Sequence, residues 1–215
     1  MLLMPILVFS FGPQQAVPIM AIGAIMGNIG KVIAWWTSVN WWAVTAYTST
    51  AVPGAILGVH ALLALPTHIV DLALGLFFIA MVPIMHAIKR SAFTFTLLHL
   101  ALIGGPVGFL TGIIVSTGPI TVPVFTSFGL TRGVFLATEA AGSLAVYTTK
   151  IASFEAFGAL SDSVVIRGLI IGAAIMAGAF WSRHIVLRMP PATFSMLVDG
   201  MMLISGGSLL WAAAS

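Results

Sequence analysis

Apolar runs make up most of the chain, and short breaks that contain glycine, proline or polar residues separate them. A helix needs roughly 20 apolar residues to cross a bilayer. Two runs, 2–11 and 119–128, are too short to cross. Runs closer to the full length predict helices over residues 16–34, 43–65, 66–88, 93–115, 133–152, 163–185 and 192–214. The pattern therefore predicts an all-α, polytopic transmembrane helical bundle that includes short broken half-helices.

The most informative break is Ser116-Thr117-Gly118-Pro119, where one apolar run stops and another starts at once. A hydroxyl residue followed by glycine and proline is typical of a helix start. We interpret 119–128 as a half-helix whose N-terminus lies inside the membrane, where its N–H groups and positive dipole end favour an anion. All four residues of the break are therefore predicted to bind substrate. The alternative is a capped loop that only lets the helix bend.

Composition agrees with a membrane protein, since 60% of the residues are hydrophobic and 6% are charged. The net charge of +3 comes from basic residues scattered at segment ends, so the expected partner is the lipid bilayer and not nucleic acid. Cysteine is absent and the five histidines show no metal-ligand spacing, so neither a metal nor a cofactor is predicted. No nucleotide-binding motif occurs, which favours a transporter driven by a gradient.

Two stretches of the chain resemble one another, and each contains a short apolar segment. Residues 5–12 align with 123–129 with one gap, and the likeness continues downstream. We therefore predict one transporter domain built from two repeats: 1–90, which lacks its leading helix, and 91–215. On this alignment about 30 residues are expected to precede Met1.

Positive residues orient the two repeats relative to the membrane. If Lys89 and Arg90 lie on the cytoplasmic side, successive spans place the matched turns at Gly12 and Gly129 on opposite sides. Repeats of inverted topology permit alternating access to a central site. The sequence therefore predicts transport by alternating access.

The chain resembles the TauE/SafE family of bacterial sulfite exporters and organosulfonate permeases in two stretches: GFLTGIIVSTGPITVPV at 108–124 and GLTRGVFLAT at 129–138. More loosely, the resemblance covers nearly all of the chain. It implies a multi-pass transporter of the bacterial plasma membrane that moves small anions such as sulfite or organosulfonates. Family members carry glycines at the break, where this chain has Ser116 and Thr117.

Three charged residues are candidates for coupling or for the anion pathway: Glu139, Lys31 and Lys150. Glu139 lies early in a predicted span, where an ionised carboxylate is costly. It either couples transport to protons or pairs with Arg132, two turns away on the same helix face. Lys31 and Lys150 hold matched positions in the two repeats, and they either snorkel to the membrane interface or guide anions inward.

Polar residues within the spans either line a pathway or satisfy neighbouring helices by hydrogen bonds. Asn28 and Thr138 are predicted to contact substrate, and the same alternatives apply to Ser143, Tyr147 and Thr148.

Two other functions remain open. A membrane-embedded protease would need a GxSG serine or a GxGD aspartate motif, and neither occurs. The two aspartates in the matched last helices of the repeats, Asp71 and Asp199, therefore do not form a protease motif. They are either structural partners or functional groups. A passive scaffold or assembly subunit would not need polar residues at mid-membrane. The repeats favour a transporter. The sequence does not fix its oligomeric state, which is either a monomer or a homodimer.

Overall fold

The computed structural model describes residues 3–90, 94–114, 118–130, 132–188, 196, 199–200, 203–204 and 206–211. Within these residues the chain is helical and contains no strand, which confirms the predicted all-α fold. The α-helices are α1 (Leu3–Phe11), α2 (Pro13–Ala34), α3 (Trp41–Ala64), α4 (Thr67–Arg90), α5 (Leu97–Ile113), α6 (Gly118–Ser127), α7 (Arg132–Ala156) and α8 (Asp162–Arg188). A short 3₁₀ turn, Trp36–Ser38, joins α2 to α3.

The helix predicted over 93–115 is shorter in the structure, where it forms α5. This helix starts only at Leu97, because Thr96 and His99 form a capping box that satisfies its first N–H groups. The last predicted helix, 192–214, lies largely outside the described residues.

Two described helices are long and apolar enough to cross a bilayer by length and composition, over Pro13–Ile33 in α2 and Trp41–Ala64 in α3. Asn40 starts the second of them, because its side chain accepts a hydrogen bond from the N–H of Ala43 at 3.1 Å.

Two short helices each lead through a glycine turn into a long helix. α1 is followed by Gly12 at a φ of 74° and then by α2, and α6 is followed by a turn at Gly129 with a φ of 94° and then by α7. Glycine suits these turns because a side chain disfavours positive φ. The short helices predicted over 2–11 and 119–128 are therefore confirmed as α1 and α6.

Glycines bring α3 and α5 together backbone to backbone. A Cβ added to Gly58 would meet the carbonyl oxygen of Phe109, and one added to Gly108 would meet that of Ala51. Gly54, Gly104 and Gly112 lie equally close to the opposite backbone. This approach is the one that small residues four apart allow between membrane helices. The glycines four residues apart in α3 and α5 therefore form the contact between these two helices.

The same kind of contact joins α2 to α8, but of two α2 glycines four residues apart, Gly23 and Gly27, only the first takes part. A Cβ on Gly23 would lie 3.5 Å from the Cα of Gly172, whereas one on Gly27 would meet nothing within 4 Å. Gly27, although it lies four residues after Gly23, therefore makes no such contact.

Five of the long helices pack in the order α5, α3, α7, α2, α8, and α4 contacts α2 and α6. Val32, near the end of α2, shares an apolar cluster with Ala137 near the start of α7. Val17, near the start of α2, shares another with Phe154 near the end of α7. The two central helices are therefore antiparallel.

A group of exposed tryptophans marks the junction of α2 and α3: Trp35, Trp36, Trp41 and Trp42. The rings of Trp36 and Trp41 meet edge to face at 5.1 Å. The ring of Trp35 lies against Gly133 at the start of α7. Exposed tryptophans at a helix end are typical of a membrane interface.

Candidate functional site

The candidate site forms around the break between α5 and α6. α5 ends just before Ile114, and α6 begins at Gly118 with Pro119 as its second residue, as the helix-start pattern predicts. Ile114 and Gly118 lie at most about 14 Å apart, because four residues extend no further. Ser116 and Thr117, two of the predicted substrate-binding residues, lie outside the described residues.

Lys150 holds the end of α5 next to this break. Its side chain is completely buried. Its Nζ donates to the backbone carbonyl oxygens of Thr111 and, at 2.7 Å, of Ile114. A cation is favoured there because the last carbonyls of a helix carry its negative dipole end.

The interpretation that Lys150 snorkels to the membrane interface is therefore wrong. It assumed a helix that ends near residue 152, but α7 continues to Ala156 and Lys150 faces α5. Lys31, its match in the first repeat, is exposed and donates from Nζ to Oδ1 of Asn28 at 3.1 Å. The two matched lysines thus have different surroundings.

Glu139 contacts the other side of the break. Its half-buried carboxylate accepts hydrogen bonds from the hydroxyls of Ser143 at 2.9 Å and Thr121 at 3.3 Å. Thr121 belongs to the first turn of α6, so Glu139 links α7 to the N-terminal end of the half-helix. The side chain of Arg132 lies outside the described residues, and the predicted pairing with Glu139 stays a prediction.

Glu139 and Lys150 lie on one face of α7. They are 11 residues apart, which is three helical turns or about 16 Å along the helix axis. Lys150 contacts the end of α5 and Glu139 contacts the start of α6. One helix therefore contacts both ends of the break with side chains of opposite formal charge.

An aromatic contact packs α6 against the helices behind it. The ring of Tyr47 on α3 is buried and meets the ring of Phe125 on α6 edge to face at 5.3 Å. A Cβ added to Gly142 on α7 would lie 3.3 Å from the Tyr47 ring, so α7 can approach because it has no side chain there. This packing fixes the position of the half-helix against α3 and α7.

Two predicted substrate contacts have partners within the protein. The buried hydroxyl oxygen of Thr138 accepts a hydrogen bond from the backbone N–H of Asn40 at 2.9 Å. Asn28 is buried and accepts from Lys31. Their role in binding substrate stays a prediction.

Sequence reasoning missed Thr111, Thr121 and Tyr47. Thr121 could have been found from its place in the first turn of the half-helix, where a hydroxyl faces the same space as the N-terminal amides. Thr111 contributes a backbone oxygen, for which a sequence carries no signal. Within the described residues, no three His, Asp or Glu side chains come together as metal ligands.

A model of the sulfite exporter TauE/SafE family matches residues 1–209. The chain belongs to the TauE/SafE family. This match confirms the resemblance and implies a membrane transporter. No curated protein and no solved structure matches the chain.

Proposed function

We propose that this TauE/SafE protein moves small anions, sulfite or organosulfonates, across the bacterial plasma membrane by gradient-driven alternating access. The observation that carries the proposal is the break between α5 and α6, with the buried ammonium of Lys150 at one end and a helix N-terminus at the other. Both features favour negative charge. An anion that enters a bilayer loses its water, so it needs such preorganised partners.

The oxyanion binds between the end of α5 and the first turn of α6. N–H groups at the start of α6 donate to its oxygens, as at other helix N-termini. Ser116 and Thr117 add hydroxyl donors, and Gly118 and Pro119 start the helix without side chains that could donate. An ammonium has three N–H donors. Two of the three N–H donors of Lys150 bind backbone oxygens of α5 and Ile114. The third is left to donate to the anion.

Glu139 lies on the pathway next to this site. Its hydrogen bond with Thr121 joins α7 to the first turn of α6. A movement of α6 that opens the site toward one side of the membrane changes this bond. Glu139 therefore remains a candidate for coupling transport to an ion gradient.

Matched contacts support two repeats of inverted topology, 1–90 and 91–215. α1 leads through Gly12 into α2 as α6 leads through Gly129 into α7. In the antiparallel pair, α2 packs against α8 and α7 packs against α3, so each packs against the helix that follows its counterpart in the other repeat. Such a pair can open a central site first to one side and then to the other. The proposed transporter crosses the membrane several times. Each chain contains both repeats, so a monomer and a homodimer would use the same transport unit.

The experiment measures thermal unfolding of the purified protein with sulfite, taurine, sulfoacetate and sulfate at several concentrations. Binding to the folded state raises the unfolding temperature. We expect one anion to do so, and we expect the rise to fall sharply in the Ser116→Ala/Thr117→Val double variant. Flux of that anion into liposomes then tests transport.

A matched control is the Thr45→Val/Ser49→Ala double variant. Both hydroxyls are exposed on α3 and donate to carbonyls of their own helix. We expect this variant to keep the full rise. No rise with any anion, or equal loss in both double variants, would contradict the proposed site.

A further inference from the structure

Asp71 on α4 is a buried carboxyl that the proposed anion site does not use. Only 6% of the residue is exposed, and its Oδ1 has no hydrogen-bond partner in the described structure. Its neighbours Val70 and Leu74 are completely buried, in a cluster with Val8 of α1 and Leu209 near the end of the chain. An acidic oxygen without a donor in such apolar surroundings calls for a physical reason.

Three basic residues of the other helices that contribute to this cluster are engaged away from Asp71: Lys150 donates to the end of α5, Arg167 donates to Gln15, and His60 meets the ring of Phe157. α6 contains no titratable residue, and neither do α1 and the segment 206–211. The single titratable residue of α2 is Lys31, which is exposed and donates to Asn28. On α4 itself, His68 is exposed, and the other basic residues lie near the opposite end of the helix: His86, Lys89 and Arg90.

The C-terminal segment 189–215 contains one titratable side chain, that of Asp199. A Cβ on Gly75 would meet the side chain of Leu210, and one on Gly206 would meet that of Ile79, so this segment and α4 run antiparallel. Asp71 precedes Gly75, whereas Asp199 precedes Gly206. The two aspartates therefore lie beyond opposite ends of this contact.

We propose that Asp71 binds a proton, and that loading and release of this proton are coupled to the movement of the anion; the coupling rests on the proposed function. A buried ionised carboxylate needs a counter-charge or donors, and a neutral carboxylic acid costs less to bury. A metal cation would need several oxygen ligands. Within the described residues, no three acidic or histidine side chains come together to supply them.

Contact between α4 and α6 provides the route for coupling. α4 packs directly against the half-helix whose first turn holds the anion. The proton adds to a carboxylate oxygen of Asp71 and leaves from the same atom, so no other bond changes. When it travels with a monovalent sulfonate, the net charge moved is zero, and a proton gradient can then drive the anion.

The first measurement is infrared difference spectroscopy of the full chain in lipid between acidic and neutral pH. We expect a band of a protonated carboxyl in the wild type that Asp71→Asn removes and Asp162→Asn retains, since Asp162 is exposed at the start of α8. The asparagine variant keeps the size of the side chain, so we expect it to fold. A band that survives Asp71→Asn would overturn proton binding at this residue.

The second measurement follows radiolabelled 2-hydroxyethanesulfonate and sulfite in proteoliposomes. We expect Asp71→Asn to lose accumulation driven by a pH gradient, at least tenfold, while exchange at equal pH stays within about twofold of wild type. Accumulation that persists in Asp71→Asn overturns the coupling. Wild type that moves neither anion contradicts the proposed function and the coupling with it, whereas the infrared band still decides whether Asp71 holds a proton.

Discussion

Lys150 and Glu139, three turns apart on one face of α7, contact opposite ends of the same helix break. Lys150 donates to the last carbonyls of α5, and Glu139 accepts from Thr121 in the first turn of α6. α7 therefore fixes the separation of the two helix ends between which the proposed anion binds. Substitutions at the two ends are expected to change different properties. Loss of the positive charge of Lys150 should lower anion affinity, whereas loss of the hydrogen bond between Glu139 and Thr121 should slow anion flux.

Lys150→Met is expected to weaken anion binding roughly 10- to 100-fold, which corresponds to about 1.5–3 kcal/mol for a lost hydrogen bond to a charged group. Lys150→Arg keeps the charge and should retain part of the affinity. The measurement is the rise in unfolding temperature with sulfite in each purified variant. Lys31→Met is the matched comparison, and because Lys31 is exposed we expect a change below threefold. Equal losses at the two positions would contradict the role given to Lys150.

Thr121→Val and Glu139→Gln are expected to act through one hydrogen bond. Each single variant should slow anion flux in liposomes, and the double variant should be little slower than the worse single one, with a coupling of about 0.5–1.5 kcal/mol. Additive effects would show that the two residues act separately. If Glu139→Gln abolishes substrate-driven proton movement while Asp71→Asn leaves it intact, the proton passes through Glu139 and the proposal for Asp71 is wrong.

Thr138→Val is expected to lower the free energy of unfolding by about 1 kcal/mol, because it removes a buried hydrogen bond with the N–H of Asn40. Anion affinity should stay within twofold, since the hydroxyl has its partner inside the protein. Chemical unfolding in detergent and the sulfite titration measure the two quantities. A loss of affinity with unchanged stability would instead support the predicted contact with substrate.

Gly58→Ala is expected to destabilise the protein by about 2 kcal/mol, because the added methyl group would meet the carbonyl oxygen of Phe109 and push α3 away from α5. Gly27→Ala serves as its control, with open space around the new atom. Alanine favours a helix over glycine by up to about 1 kcal/mol, so this variant should be neutral or more stable. Thermal unfolding in one detergent compares the two, and equal effects would contradict the close contact.

Much of the fold could be predicted because apolar runs and glycine–proline breaks act locally. The start of α6 follows from Gly118 and Pro119, and the turn before α7 follows from Gly129. The early start predicted for α5 failed because a single polar pair, Thr96 and His99, caps the helix inside what looked like a continuous run.

The candidate site was harder to predict because it depends on which helix faces which. Lys150 at the end of an apolar run has the same sequence pattern as a snorkelling lysine, and only the packing of α7 against α5 shows its backbone partners. Gly23 and Gly27 have the same spacing as Gly54 and Gly58, yet Gly27 meets no neighbour. Glycines four residues apart allow two helices to approach closely. Whether they do so depends on how the helices pack in the folded protein.

The tryptophans at the junction of α2 and α3 give the molecule an optical probe. The ring of Trp35 rests on the backbone of Gly133, so its emission is sensitive to any sliding of α7 past the end of α2. Trp181 and Trp211 also emit, so they are replaced as well: in Trp36→Phe/Trp41→Phe/Trp42→Phe/Trp181→Phe/Trp211→Phe, Trp35 is the only tryptophan left. A change in its emission wavelength or lifetime on adding anion would then report, without a label, the motion that alternating access requires.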